Sequence, residues 1–311
     1  MDVDKSARMR WGQLPADVRA GVETVLGSPV LSAQSQAGGF SNGTADRVRT
    51  RSGSTAFVKA ISTAMNAGAA DLHRREARIT AALPCGVPAP RLLGVYDDGN
   101  WVALALQDIE GHNPALPWHE PDLHAALDML TRLAELVTPC PITAVPPAGE
   151  VLAEPFAGWD RIAAYPPDDL DPWAAQHLPV LRRLAADALG AVQGDTLVHY
   201  DVRADNLLID AAGKVTLVDW PWACRGAAWL DTVMLLGTVY MYGGHDVETL
   251  LSRSVTSQAE PQNVTAVLVA QASYALDAAR LVPPVGMGQL RAFQRGKADA
   301  LLRWVRRRLD G

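Results

Sequence analysis

Three residues of types that can do chemistry together stand in one short run, Leu197-Val-His-Tyr-Asp-Val-Arg-Ala-Asp-Asn-Leu-Leu-Ile-Asp210. His199, Asp201 and Asn206 form an H-x-D-x4-N pattern, and Asp219 closes the next apolar run, Val215-Thr-Leu-Val-Asp219. This is the layout of a phosphoryl-transfer loop followed by a metal-binding aspartate. A transferred phosphoryl group spreads negative charge over its oxygens, so a protein mainly positions groups and supplies electrostatic stabilisation. A hydroxyl acceptor must lose a proton near the moment of attack, and a carboxylate within hydrogen-bond reach can take it; Asp201 is the candidate general base. Magnesium requires hard oxygen donors, which the Asn206 amide oxygen and the Asp219 carboxylate offer. Read alone, the run is also compatible with an ordinary loop capped by Asp and Asn, so the motif depends on its surroundings.

Those surroundings are legible. Leu207-Leu-Ile-Asp and Lys214-Val-Thr-Leu-Val read as short strands joined by the turn Asp210-Ala-Ala-Gly213, which puts Asn206 and Asp219 at the same end of a hairpin. Upstream, Thr55-Ala-Phe-Val-Lys-Ala-Ile61 reads as a buried strand holding one lysine. Lysine is rarely buried unless paired. Asp71 to Leu83 reads as a helix with an apolar stripe of Leu72, Ile79 and Leu83, and Glu76 falls on that stripe. A carboxylate on a buried face is unfavourable unless neutralised, so Lys59 and Glu76 predict each other. Such a pair would aim the lysine at nucleotide phosphates. Taken singly, Lys59 could instead snorkel to solvent.

Before the lysine strand, Gln36-Ala-Gly-Gly-Phe-Ser-Asn-Gly-Thr44 reads as a flexible turn between strands at 30–37 and 45–51. Gly39, Ser41 and Asn42 are its candidate phosphate-contacting residues, because small residues let backbone N–H groups approach an anion. After the helix, segments 91–96 and 101–106 read as a hairpin about Asp97-Asp-Gly-Asn100. The polar connector Gln107-Asp-Ile-Glu-Gly111 then breaks the pattern, as a linker or as a place where a nucleotide base meets backbone groups, with Gln107 as the candidate contact.

In these residues and in their order, the chain resembles the aminoglycoside phosphotransferase family over about residues 30–240. The resemblance implies an α+β, bilobal protein-kinase-like fold, with a small antiparallel-sheet N-terminal lobe and a larger, mostly helical C-terminal lobe. It implies an ATP-binding lobe over residues 1–107 and a hinge at 107–111. Residues 112–311 would then carry the catalytic loop, metal site and acceptor pocket. By the same resemblance Asp201 is the catalytic base, Lys59 holds the α- and β-phosphates of ATP, and Asn206 and Asp219 hold Mg2+. Asp231 braces the catalytic loop. Two departures stand out. Tyr200 occupies the place where the family often has glycine, and Arg203 is either a γ-phosphate contact or a solvated loop charge. Asp219-Trp-Pro-Trp222 replaces the Asp-Phe-Gly of protein kinases, no Ala-Pro-Glu follows, and 220–227 is too short for an activation loop. That favours a constitutively assembled small-molecule kinase.

The remaining features set bounds. A chain of 311 residues with 49% hydrophobic and 20% charged residues is long enough for two cored lobes of ordinary soluble character. The net charge of −6 disfavours nucleic acid as a partner. No signal-peptide-like or membrane-length apolar run is present, and the unpaired spacing of Cys85, Cys140 and Cys224 suits free thiols, so a cytoplasmic location is expected. Pro/Gly-rich stretches at 139–149 and 165–172 read as loops, and Gln289 to Leu309 reads as a basic helix with an apolar stripe.

The acceptor is the least legible part. Glu150, Glu154, Asp160, Asp168, Asp169 and Asp171 would suit a polyamine sugar, whereas Trp118, Trp159, Trp173, Trp222 and Trp229 are either stacking surfaces or core. The expected function is ATP- and Mg2+-dependent transfer of the γ-phosphate to a hydroxyl of a small molecule. An aminoglycoside-like antibiotic is the first choice; a sugar, amino alcohol, nucleoside or macrolide is the alternative. A nucleotide-binding pseudokinase-like module is a third reading.

Overall fold

A computed structural model describes residues 8–36, 43–284 and 287–311. The chain divides into two compact units. The first runs to Asn113 and adds Asp205–Trp222 and a short stretch after Pro284; the second holds the rest. The architecture is the expected α+β one, an antiparallel sheet followed by a mainly helical part.

The first unit is a five-stranded antiparallel sheet of β1 (Val30–Ser35), β2 (Thr44–Thr50), β3 (Thr55–Ser62), β4 (Leu92–Asp97) and β5 (Trp101–Gln107), in the order β1-β2-β3-β5-β4. Side chains alternate across a strand, and β3 uses both faces. Ala56, Val58 and Ala60 pack with Val18 and Val22 of helix α1 (Ala16–Leu26). Ile61 lies with Val102, Leu104 and Leu106 of β5 against Ala69, Ala70 and Ala77 of α2 (Ala67–Ala82). Each fully buried Val, Leu or Ile here stabilises by roughly 1.5–3 kcal/mol. The alternation places Lys59 on the α2 side.

Helix α2 begins four residues earlier than its apolar pattern suggests, because the Asn66 side chain accepts a hydrogen bond from the Ala69 N–H at 3.0 Å and caps it. It stops before Leu83, the residue preceding Pro84, where helical geometry is disfavoured. The buried face consequently runs through His73, Glu76 and Ile79, with Leu72 only half-buried. The hairpin of strands Leu207–Ile209 and Val215–Leu217 belongs to this same unit.

The second unit is built of α3 (Glu120–Leu136), α4 (Ala148–Phe156), α5 (Gly158–Ala164), α6 (Pro172–Ala191), α7 (Leu230–Tyr242), α8 (Val247–Arg253), α9 (Pro261–Ala279) and α10 (Leu290–Asp310). Ala148 and Gly149, expected in a loop, start α4 instead. Helix α9 is buried almost all round and packs against α4, α5, α6 and α10. On α10 the expected stripe is buried at Leu301, Trp304 and Val305 and half-buried at Leu290 and Phe293. Strands Thr196–Val198 and Cys224–Gly226 pair antiparallel, which brings the loop after the first close to the start of α7. Among the described residues no helix is long and apolar enough to cross a membrane.

Candidate active site

In the first unit, Lys59 Nζ donates to both Glu76 carboxylate oxygens, at 2.9 and 3.0 Å, and to Asp219 Oδ1 at 2.6 Å. The Lys59 and Glu76 side chains are 15% and 2% exposed, so this is a desolvated cation held between two carboxylates. Burial alone would discharge Lys59, but Asp219 and Glu76 outweigh it and hold its pKa above the usual lysine value. Burial pushes Glu76 up, and the Lys59 ammonium opposes it. His73, one turn before Glu76, is driven down to about 4 by burial and then by Lys59, so its imidazole is neutral near pH 7. Its Nε2 is buried without a hydrogen-bond partner.

The hairpin supplies the remaining groups. Leu207 pairs with Leu217, and the Val218 N–H donates to the Asn206 carbonyl at 2.9 Å, so Asn206 and Asp219 sit at one end. Asp210 tightens the turn by accepting from the Ala212 and Lys214 N–H groups, both at 2.9 Å, and Gly213 takes φ +78°. Lys59, His73, Glu76, Asn206 and Asp219 line one cavity of about 250 Å³. Its other walls include Ala45, Phe57, Leu106 and Leu208, with Gln107 beside them. Larger clefts of about 840 and 720 Å³ lie along the basic end of α10 and contain none of the motif residues. An amide oxygen and a carboxylate facing one space are a donor set that fits Mg2+.

In the second unit, the loop after Val198 is braced by Asp231, in the first turn of α7. Asp231 Oδ2 accepts from the His199 N–H at 2.8 Å and Oδ1 from the Tyr200 N–H at 2.7 Å. Burial pushes the Asp231 carboxyl up, against the pull of His199 and these two N–H groups. The Asp201 N–H donates to His199 Nδ1 at 3.2 Å, which makes that ring nitrogen an acceptor. Tyr200 has φ +71° and Asp219 φ +70°, and these are the non-glycine residues with positive φ among the described residues. Such geometry costs on the order of 1–3 kcal/mol and persists where neighbours enforce it, often at functional sites. A positive φ suits glycine, and at Tyr200 the strain is held by neighbours: two N–H bonds to Asp231 hold the loop, and Gln271 of α9 donates to the Tyr200 hydroxyl at 2.6 Å. Arg203 Nε lies 3.8 Å from Asp201 Oδ1, and its guanidinium carbon is 5.6 Å from the Phe293 ring centre. Asp231→Ala should destabilise the protein by roughly 2–6 kcal/mol, since it strands two N–H groups at about 1–3 kcal/mol each. Chemical denaturation checks this, and an unchanged midpoint would show that Asp231 does not hold the loop.

The structure thus gathers Lys59, Glu76, Gln107, Asn206 and Asp219 in one unit and Asp201 with Arg203 in the other. Gly39, Ser41 and Asn42 lie outside the described residues. Arg8, Arg47 and His73 also line the cavity, and the sequence offered no local signal for them. Arg47 pairs with Asp108 at 2.9 Å and donates to the Ile109 carbonyl, fixing the connector after β5. Of the acids considered for a polyamine acceptor, Glu154 pairs with Arg161, Asp160 with Arg182 and Asp169 with Arg295, while Asp171 caps α6. Trp118, Trp159, Trp173 and Trp229 are buried core; Trp222 is partly exposed.

Residues 33–264 match the phosphotransferase enzyme family, and the chain belongs to it. It is therefore a phosphotransferase. No curated protein sequence matches. Among solved structures, a thermostable mutant of aminoglycoside phosphotransferase APH(4)-Ia, in a ternary complex with ADP and hygromycin B, is 14% identical with a TM-score of 0.62; the match covers 93% of this chain and 98% of that one. Choline kinase LicA from Streptococcus pneumoniae gives 14% identity and a TM-score of 0.62, over 92% and 98% of the two chains. A putative fructosamine-3-kinase from Haemophilus somnus gives 9% and 0.56, over 92% and 96%. At these identities the likeness is one of fold.

Proposed function

We propose that the protein transfers the γ-phosphate of ATP to a hydroxyl of a small molecule, with Mg2+ as cofactor. The observation that carries this reading is Lys59, held by Glu76 and Asp219 in a cavity that Asn206 also lines. Lys59 is the phosphate-binding cation and Glu76 orients it. The apolar walls at Ala45, Phe57, Leu106 and Leu208 suit a nucleobase, with Gln107 at its edge. Asn206 and Asp219 would hold Mg2+, which when bound would neutralise charge on the phosphate oxygens. Gly39, Ser41 and Asn42 would offer their N–H groups to the phosphates. Asp201 takes the proton of the acceptor hydroxyl, and Arg203 stabilises charge on the transferred group. In this scheme residues 1–107 form the nucleotide-binding lobe, 107–111 the hinge, and 112–311 the lobe that receives the acceptor.

The APH(4)-Ia aminoglycoside phosphotransferase complex holds hygromycin B, so an aminoglycoside-like antibiotic is one reading of the acceptor. The engagement of Glu154, Asp160, Asp169 and Asp171 in ion pairs and a helix cap favours another small alcohol. The test is ADP release from ATP and Mg2+ across aminoglycosides, macrolides, nucleosides, sugars and amino alcohols. Turnover on one class supports the kinase and identifies its acceptor; ATP binding with silence on every alcohol would replace it with a nucleotide-binding module.

A further inference from the structure

One cation near Asp201 has no structural employment. Lys297 stands on α10 four residues after Phe293, so the two share a helix face. The Phe293 ring lies against the Arg203 guanidinium, which places that face beside the Asp201 loop. Lys297 is partly buried, yet among the described residues it makes no hydrogen bond and no ion pair. Other shielded cations are employed: Lys59 holds two carboxylates, and Arg161 and Arg280 share Asp277. Burial pushes the Lys297 ammonium down to about 8, with Asp201 opposing the shift and Arg203 adding to it. A desolvated, unpaired ammonium is costly unless something outside the chain completes it.

Arg203 carries the same sign, and both it and Arg291 act on Tyr274 of α9. Arg291, on the preceding turns of α10, gives its guanidinium to the Gln294 side chain and the Val282 carbonyl, both neutral, and its Nε is buried without a partner. Opposite, α9 presents Gln271, bonded to the Tyr200 hydroxyl, and Tyr274 three residues on; Tyr274 feels the charges of Asp201, Arg291, Glu154 and Arg203. Glu154, the acid of this group besides Asp201, is already paired with Arg161 at 3.1 Å.

We propose that the acceptor carries an anionic group, a carboxylate or a phosphate, a short distance from its reacting hydroxyl, and that Lys297 binds it with Arg291 adding to the field. The inference rests on the kinase reading above and narrows its acceptor. A polyamine would bring cations to a surface that already holds unpaired ones, whereas an acidic alcohol supplies their missing counter-charge and leaves Asp201 to take the hydroxyl proton.

The test uses the full-length protein and radiolabelled γ-phosphate transfer from ATP to matched alcohols that share a carbon skeleton but carry a carboxylate, a phosphate, an amide or an amine. The anionic members should be the best acceptors, and which of the two leads identifies the anion. Lys297→Met should lower kcat/KM on them on the order of 10- to 100-fold, the worth of one charge-assisted contact, and mainly through KM. Lys297→Arg should retain most of the activity, which a merely structural lysine would not require. Best turnover on amine or amide members, or an anionic acceptor indifferent to Lys297→Met, would overturn the inference and leave the kinase reading intact. Silence on the whole panel with ATP still bound would also overturn it. Silence together with failure to bind ATP would instead remove the kinase reading on which it stands. The wild-type preference decides the matter even if a variant fails to fold.

Discussion

Asp201→Asn should cut turnover by roughly 10²–10⁴-fold while leaving ATP affinity close to that of the wild type. The amide is nearly the same size as the carboxylate and keeps an oxygen toward Arg203, now 3.8 Å from Asp201 Oδ1, but it cannot accept the acceptor proton at neutral pH. The loop should survive, because its shape rests on backbone contacts. The His199 and Tyr200 N–H groups are held by Asp231, and the Asp201 N–H by His199. Nucleotide binding should survive as well, because Lys59, Glu76, Gln107, Asn206 and Asp219 line a cavity in the other unit. Single-turnover transfer measured beside equilibrium ATP binding separates the two effects. A variant that turns over normally would remove Asp201 as the base. A variant that also loses ATP would mean that the carboxylate acts in nucleotide binding.

The parts of the molecule legible in the sequence are those where a local pattern conflicts with itself. Lys59 in an apolar strand and Glu76 on an apolar helix face are each unfavourable alone, and the structure pairs them at 2.9 Å. The Asn206–Asp219 hairpin was legible because its turn, Asp210 to Gly213, joins two short apolar runs. Helix α1 has a signal of its own in the sequence: Val18, Val22 and Leu26 recur at helical spacing and Gly27 closes the helix at φ +70°. Other features leave no local trace. Arg8 reaches the cavity from outside any repeating pattern, and Gln271 meets Tyr200 across a long stretch of chain. Lys297 reads as one more solvated charge in a basic helix, and its partial burial four residues after Phe293 is visible only in the folded chain. The pairing of the acids near the acceptor is equally hidden, since Asp160, Asp169 and Glu154 find arginines that are distant in sequence or concealed by helix geometry.

Asp219→Ala should abolish the magnesium dependence of nucleotide binding, and its effect on the fold should be far smaller. Its carboxylate is 37% exposed, so most of what is lost is chemistry directed at the cavity. Lys59 keeps Glu76, and that desolvated pair remains neutralised. This matters because removal of one partner of a buried pair typically costs about 3–5 kcal/mol. Some backbone cost arises because residue 219 has φ +70°, a region asparagine tolerates better than alanine. Asp219→Asn is therefore the cleaner companion: it keeps the geometry and an oxygen for Lys59 while removing the charge that would hold the metal. Wild-type ATP affinity should rise with added Mg2+, on the order of 10- to 100-fold for one charge-assisted contact, and fall back when EDTA is added. Both variants should sit at the EDTA level whether or not Mg2+ is present. If Asp219→Asn still gains affinity from Mg2+ as the wild type does, the metal is held elsewhere, and Asp219 serves only to position Lys59.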